Sequence, residues 1–291
     1  MIYDYPVYRP PSEAYSLILQ VAIGCSHNAC TFCTMYKTKR YRQKSWEEIK
    51  KLIESSAGAY PRASRIFLAD GNALSLPIQT LVQTLEMLRR CFPRLERISI
   101  YGGPHDILSK TKEELALLGQ KGLDLVYLGI ESGSEKVLKM VKKGVSPQEM
   151  TEAGRKVIDS GLGLSATIIS GLGGKELWEE HAVETARVAS AINPHYLASL
   201  TLLLENGAPL LSRVQKGEFS LLTPWEVLRE TRKMIENLEL HDCVYRSNHA
   251  SNYFSLACVL NREKEDVLSR IDKYLERPDI KALPIDYYRR L

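Results

Sequence analysis

Three cysteines stand within nine residues near the start of the chain: Cys25, Cys30 and Cys33, spaced C-x4-C-x2-C. An odd number of thiols this close together suits a metal centre rather than disulfides, and thiolate is the soft ligand that iron–sulfur clusters and zinc select. Structural zinc takes four ligands, commonly from two paired motifs. The one close candidate for a fourth is His27, inside the first gap, where its geometry is poor and a solvated or backbone-bonded histidine is the commoner outcome. Three protein ligands leave one metal position open, and that position is the expected seat of chemistry. Cys91, Cys243 and Cys258 are scattered and read as small buried hydrophobes.

Two other stretches carry polar chemistry. Arg246-Ser247-Asn248-His249-Ala250-Ser251-Asn252 is dense in hydrogen-bonding groups just before the apolar run 253–260. His249 and Asn252 are read in two ways: contacts to substrate, or a polar turn whose side chains cap backbone. The basic run Lys37, Lys39, Arg40, Arg42 and Lys44 follows the cysteines. It reads as a solvated face, or as a surface for an anionic substrate, RNA or an acidic electron donor.

The rest of the composition sets bounds. The 291 residues are 44% apolar and 25% charged, with a net charge of +4, an ordinary globular mix with no strong case for nucleic acid or membrane. Six cysteines in this length are too few for a disulfide scaffold. No signal-peptide core and no run of membrane-span length is read, so a reducing cytoplasm is expected.

The elements that must position these residues alternate. A β-like run, 15–23, ends at Gly24-Cys25. Ser45 and Glu48 form a capping box at a helix start. A strand at 65–69 ends at Asp70-Gly71-Asn72 and is followed by a helix at 78–90. A strand at 97–101 ends at Gly102-Gly103-Pro104, and a helix at 112–118 is boxed by Thr111 and Glu114. A strand at 125–130 ends at Glu131-Ser132-Gly133, before helices at 135–141 and 147–160. A strand at 164–170 ends at Gly171-Leu172-Gly173-Gly174, then come a helix at 176–192 and a sixth strand at 196–204. Such alternation implies parallel strands joined by right-handed crossovers, and both a doubly wound sheet and a barrel fit. In either, the polar strand ends share the edge that carries the site. Ser165 and Thr167 fall on one face of their strand, as interior polar groups or as small packing residues. Beyond 207 the pattern changes to an amphipathic helix at 224–238 and a closing helix at 264–275.

The triad after the first strand, with an aromatic between its last two cysteines (Cys30-Thr31-Phe32-Cys33), resembles the radical S-adenosylmethionine (SAM) enzymes. Tyr127-Leu128-Gly129-Ile130-Glu131-Ser132-Gly133-Ser134-Glu135, followed by Lys143-Gly144, resembles the fourth-strand motif of one branch: oxygen-independent coproporphyrinogen oxidases, methylthiotransferases and the elongator catalytic subunit. Ile168-Ile169-Ser170-Gly171-Leu172-Gly173 resembles its fifth-strand motif, and Asn206-Gly207-Ala208-Pro209-Leu210 the motif after the sixth strand. Four motifs in order, over roughly residues 15–240, are a far stronger signal than one. The first cysteine gap is one residue longer than the family's commonest C-x3-C-x2-C.

The resemblance implies a partial (β/α)6 TIM-type barrel over 12–204, closed by an α-rich extension at 205–291. It implies a [4Fe–4S] cluster held by Cys25, Cys30 and Cys33, with SAM on the remaining iron. Phe32 falls at an adenine contact, and Asp70, Gly71 and Asn72 where backbone meets the methionine amino group. Glu131 falls at the ribose hydroxyls, with Ser132 assisting it. Arg155 lies on the helix before the fifth strand, either as a fork for the methionine carboxylate or, being about one helical turn from the usual place, as a solvated arginine, and Thr167 faces the interior. The implied activity is reductive cleavage of SAM to a 5′-deoxyadenosyl radical that takes hydrogen from a small-molecule substrate. A low-potential electron donor such as flavodoxin or ferredoxin would serve it, with no membrane and with nucleic acid left open. The rival readings are an RNA- or protein-modifying enzyme of the same branch, a non-catalytic haem-handling relative, and a zinc-stabilised α/β protein.

Overall fold

The structure is a computed structural model and describes residues 3–276. Met1, Ile2 and the last fifteen residues of the expected extension lie outside the described residues. No described helix is long and apolar enough to cross a membrane.

Strand β1 (Leu17–Gln20) is followed by β2 (Ala22–Ile23) and β3 (Arg42–Gln43), which pair antiparallel at the base of the cysteine loop. Next come α1 (Trp46–Ala59), β4 (Arg65–Ala69), α2 (Ile78–Cys91), β5 (Arg97–Tyr101), α3 (Pro104–Leu108), α4 (Lys112–Gln120) and β6 (Leu125–Glu131). Then follow α5 (Glu135–Met140), α6 (Pro147–Asp159), β7 (Gly163–Ser170), α7 (Gly174–Ile192) and β8 (Tyr196–Thr201). Helices α8 (Pro209–Gln215) and α9 (Pro224–Asn237), strands β9 (Cys243–Arg246) and β10 (Ala257–Leu260), and α10 (Lys264–Glu276) complete the chain. The helix starts read in the sequence are present: Ser45 with Glu48 and Thr111 with Glu114 form reciprocal capping boxes, as does Thr223 with Glu226 on α9.

The chain divides into two compact units. The first comprises Met1–Asn28, Met35–Leu128 and Lys156–Leu164; the second comprises Ala29–Thr34, Gly129–Arg155 and Ser165–Leu291. In the first, β1, β4, β5 and the start of β6 pair in parallel, in that order. Their shared face carries Ile18, Phe67, Tyr101, Leu125 and Tyr127, with Phe67 edge-on to Tyr101 at 4.8 Å between centroids. In the second, β7 and β8 pair in parallel, β9 adds in parallel to β8, and β10 adds antiparallel to β9. The β/α repeat is that of a partial (β/α)6 TIM-type fold, and among the described residues no pairing of β1 with β10 is present. The position 204/205 lies inside the second unit, so the extension and the end of the repeat share one compact body.

The extension is rich in helix as expected but also supplies two strands. The alternation Cys243, Val244, Tyr245, Arg246 and the apolar run 257–260 set buried against less buried side chains, the period that makes a strand. The polar patch is therefore the turn that links β9 to β10.

Candidate functional site

The cysteine loop runs from β2 to β3. Gly24 ends β2 in a left-handed conformation, φ +74°, which favours glycine. Cys25, Cys30 and Cys33 form no disulfide, and each is half-buried. Among the described residues no three Cys, His, Asp or Glu side chains stand close enough to hold a metal ion. The donor set nevertheless suits a soft, iron–sulfur-type centre: three cysteines outside any disulfide on one short loop, none sealed in the core.

In the first unit, three consecutive residues after β4 meet three consecutive residues of this loop. Asp70 Oδ2 accepts from the Gly24 amide at 3.0 Å, from Gln20 Nε2 at 2.9 Å and from Lys39 Nζ at 2.9 Å. The Asp70 and Lys39 side chains are 0% and 3% exposed, so this is a buried ion pair, and Lys39 also reaches the Asp4 carbonyl. At Gly71 an added Cβ would lie 2.7 Å from the Tyr36 ring and 3.1 Å from Cys25 Cβ, so only glycine permits this approach. Asn72 Nδ2 donates to Ser26 Oγ at 2.6 Å. The extra residue of the first gap is accommodated just beyond. Asn28 takes φ +40° and its side chain donates to the Tyr36 carbonyl at 2.9 Å. The Asp70 side chain therefore braces the loop through Oδ2.

In the second unit the middle of the loop is held by backbone. The Thr31 amide donates to the Val141 carbonyl, and the Thr31 carbonyl accepts from the Leu210 amide, both at 2.9 Å. The Phe32 side chain packs against Val137, Val141, Leu172, Leu202, Leu210 and Phe219. Its ring serves an apolar cluster, which leaves its backbone for a ligand.

Glu131 closes β6 with φ +64°, and its carboxylate takes a bond from Lys143 Nζ at 2.9 Å; the two side chains are 13% and 11% exposed. Lys143 was quoted within a motif in the sequence but given no role; the structure makes it the partner of Glu131. Ser132 departs from expectation. It is fully buried, and its hydroxyl faces His181 Nδ1 at 2.8 Å, away from any ribose contact. His181 Nε2 lies 3.0 Å from the Ile169 carbonyl, which only accepts, so Nε2 carries the proton and Nδ1 accepts from Ser132. The rest of the turn is tied to the same helix, because the Gly133 amide donates to Thr185 Oγ1 at 2.9 Å and Ser134 Oγ to Glu180 at 2.8 Å. Burial lowers the His181 pKa to about 4 and keeps it neutral. Burial also raises Glu230 to about 8; its Oε1 accepts from the Gly171 amide at 2.6 Å. These buried groups carry no sequence signal beyond their types, since a lone His or Glu on a helix is ordinarily a surface residue.

Arg155 lies in the second unit too. It is exposed on α6, and its guanidinium donates to the Ala191 carbonyl near the end of α7 at 3.1 Å, a helix-end contact. Thr167 is half-buried on the less covered face of β7. In the turn after β9, Asn252 accepts from Thr201 Oγ1 at 2.9 Å and donates to the Ser199 carbonyl at 2.8 Å. His249 Nδ1 takes the Ser251 amide at 3.0 Å. Of the two readings offered for these residues, the capping one describes their contacts.

The basic run divides in the first unit: Lys39 is buried, whereas Lys37, Arg40 and Arg42 lie at the surface. Lys39 is buried on Asp70, Arg42 pairs with Glu48 at 2.8 Å, and Lys37 bonds the Asn28 carbonyl. Burial, ahead of the neighbouring Arg42, pushes the Lys44 pKa down.

Residues 19–187, more than half of the chain, match the family model of the radical SAM superfamily. The chain belongs to the radical SAM superfamily. Members of that family use a [4Fe–4S] cluster and SAM. No curated protein matches the chain in sequence. Similar solved structures include methylornithine synthase, at 20% identity and TM-score 0.53, covering 77% of this chain and 63% of that one. Coproporphyrinogen III oxidase from Escherichia coli matches at 17% identity and TM-score 0.56, covering 76% of this chain and 52% of that one. The radical SAM methyltransferase TsrM from Kitasatospora setae, solved with cobalamin and a [4Fe–4S] cluster, matches at 17% and 0.56, covering 88% of this chain and 52% of that one. These likenesses are of fold, and the chain spans between about half and two thirds of the length of these neighbours.

Proposed function

We propose that the chain reductively cleaves SAM and directs the resulting radical at a small-molecule substrate. The observation that carries this reading is the family match over the cysteine loop and the following β/α repeat, with three half-buried cysteines on that loop outside any disulfide. Cys25, Cys30 and Cys33 are the residues to hold the cluster. When bound, the cluster and SAM supply a one-electron reduction that breaks a sulfonium C–S bond and yields methionine and a 5′-deoxyadenosyl radical.

The protein's own part is placement and exclusion. Asp70 and Asn72 hold the first half of the loop by Gly24 and Ser26. The backbone of Asp70, Gly71 and Asn72 and of Phe32, the Glu131 carboxylate set by Lys143, and Thr167 are the groups offered to SAM. Asn252 clamps the end of β8. A small-molecule substrate is favoured over RNA because the net charge of +4 is mild and Lys39, one of the five cations of the basic run, is buried on Asp70. A low-potential flavodoxin or ferredoxin is the electron donor proposed.

The test is anaerobic reconstitution. About four irons per chain and 5′-deoxyadenosine on reduction with SAM are expected, and Cys30→Ala should lose both. A colourless, zinc-loaded chain that releases no 5′-deoxyadenosine refutes the reading.

A further inference from the structure

We propose that Arg246 binds an oxyanion, a carboxylate or a phosphate, on the open face of the second unit's sheet. That this ligand is the substrate rests on the function proposed above; the binding itself does not.

Strands β7 to β10 have one sealed and one open face. Leu197, Ser199, Thr201, Cys243, Tyr245, Cys258 and Leu260 are each at most 7% exposed and form the sealed side. The residues between them point the other way and are less covered, and Arg246 is among the exposed. Arg246 is the one charged residue in all four strands. Among the described residues its guanidinium makes no hydrogen bond and no ion pair, although its five donors suit a planar oxyanion.

The register builds a notch around it. Arg246 is paired with Ala198 on β8 and with Ala257 on β10, so its neighbours on both sides are methyl groups. The adjoining row is bulky: Tyr196 is paired with Val244, and Val244 with Val259. Along β8, Ala198 sits between Tyr196 and Leu200 on the same face. A guanidinium with an alanine paired on either side leaves its donors open to a ligand, and a bond to an anionic oxygen is charge-assisted. Tyr196, 46% exposed, is an aromatic wall on that notch. Thr167 lies in the same row, paired with Ala198. It stands two strands from Arg246, roughly 10 Å away, which is the reach of a small molecule.

The test uses the full chain as isolated, titrated with sodium phosphate and with sodium succinate at constant ionic strength, read by thermal shift and calorimetry. Saturable binding of one or both is expected; phosphate alone assigns a phosphate ester, succinate alone a carboxylate. Arg246→Gln should weaken that affinity by on the order of tenfold or more. Ala198→Leu, which keeps the charge but fills the notch, should do likewise, so the inference does not hang on one variant's folding. Arg246→Lys should keep part of the affinity, and Arg229→Gln, exposed on α9, all of it. Absence of saturable binding in the wild type, or equal binding by Arg246→Gln, overturns the proposal. The reconstituted wild type's 5′-deoxyadenosine yield is measured separately. A zero there refutes the enzyme reading and leaves the anion result to be judged on its own.

Discussion

Two loops carry the residues offered to cluster and SAM, and each is braced from beneath by buried polar groups of a different kind. Under the first-unit part of the cysteine loop lies a full charge pair, Asp70 with Lys39, 2.9 Å apart and almost wholly out of solvent. Under the Glu131 turn of the second unit lies a neutral set: Ser132, an uncharged His181 and a protonated Glu230. A charge pair is strong in geometry but expensive when broken, because the surviving partner stays buried and uncompensated. A neutral set loses only hydrogen bonds. The cysteine loop thus has a buried charge pair among its ties, while the Glu131 turn is held to α7 by neutral hydrogen bonds and the partly exposed Glu180.

The largest effect should follow from splitting the charge pair. Asp70→Asn or Lys39→Met alone is expected to cost about 3–5 kcal/mol of stability and to lower the iron retained per chain after reconstitution. The double variant Asp70→Asn/Lys39→Met should regain part of both, since no lone charge remains. Denaturant titration and iron analysis read the two quantities. Full iron and unchanged stability in either single variant would remove the brace from the account.

On the neutral side, His181→Phe leaves the Ser132 hydroxyl and the Ile169 carbonyl without their partner. The expected cost is about 1–3 kcal/mol, with cluster content retained and SAM affinity reduced through the displaced Glu131 turn. A loss of iron equal to that of Asp70→Asn would mean that the two braces are not independent.

The pH dependence separates the neutral pair further. Glu230 is raised to about 8 in the fold, so the folded state holds a proton that the unfolded chain gives up near pH 4.5; this stability is present in acid and falls as pH rises toward 8. His181 is lowered to about 4, so the unfolded chain takes a proton first and stability from this group rises between pH 4 and 6.5. The two slopes, each at most about 1.4 kcal/mol per pH unit, offset each other below 6.5 and leave a net fall from 6.5 to 8. Glu230→Gln retains an acceptor for the Gly171 amide and should abolish that fall, unmasking the His181 rise. Unfolding midpoints at stepped pH would show it; an unchanged profile would mean that Glu230 is ionised in the fold.

Much of this was legible in the residues and part was not. Caps and strand ends were readable because they rest on local chemistry: Ser45 with Glu48, Thr111 with Glu114, and glycine where β2 and β4 stop. The strands of the repeat were readable from apolar runs alone. The partners of polar side chains were not, because they depend on neighbours far along the chain. Lys39 looked like one member of a surface run, yet its partner is 31 residues away. Ser132 looked like an assistant to Glu131, yet the chain leaves β6 through a left-handed Glu131, and the Ser132 hydroxyl turns to His181, 49 residues on. Strands β9 and β10 were hidden by their four-residue length, too short for a period to stand out.

The smallest effect should come at Arg155, and it sharpens the reading of the Glu131 turn. Arg155 was read as a fork for the methionine carboxylate or as a solvated arginine, and it is exposed and spends a donor on the Ala191 carbonyl. Arg155→Gln should change stability by about half a kcal/mol or less and leave SAM affinity unaltered. Lys143→Met is the informative counterpart. It removes the cation 2.9 Å from Glu131, so that the carboxylate loses its fixed orientation, and SAM binding by the reconstituted chain should weaken several-fold. Binding measured side by side decides between them. If Arg155→Gln were the variant that lost SAM, the guanidinium would have to leave its helix-end contact to reach the ligand, and the Glu131–Lys143 pair would be a structural tie only.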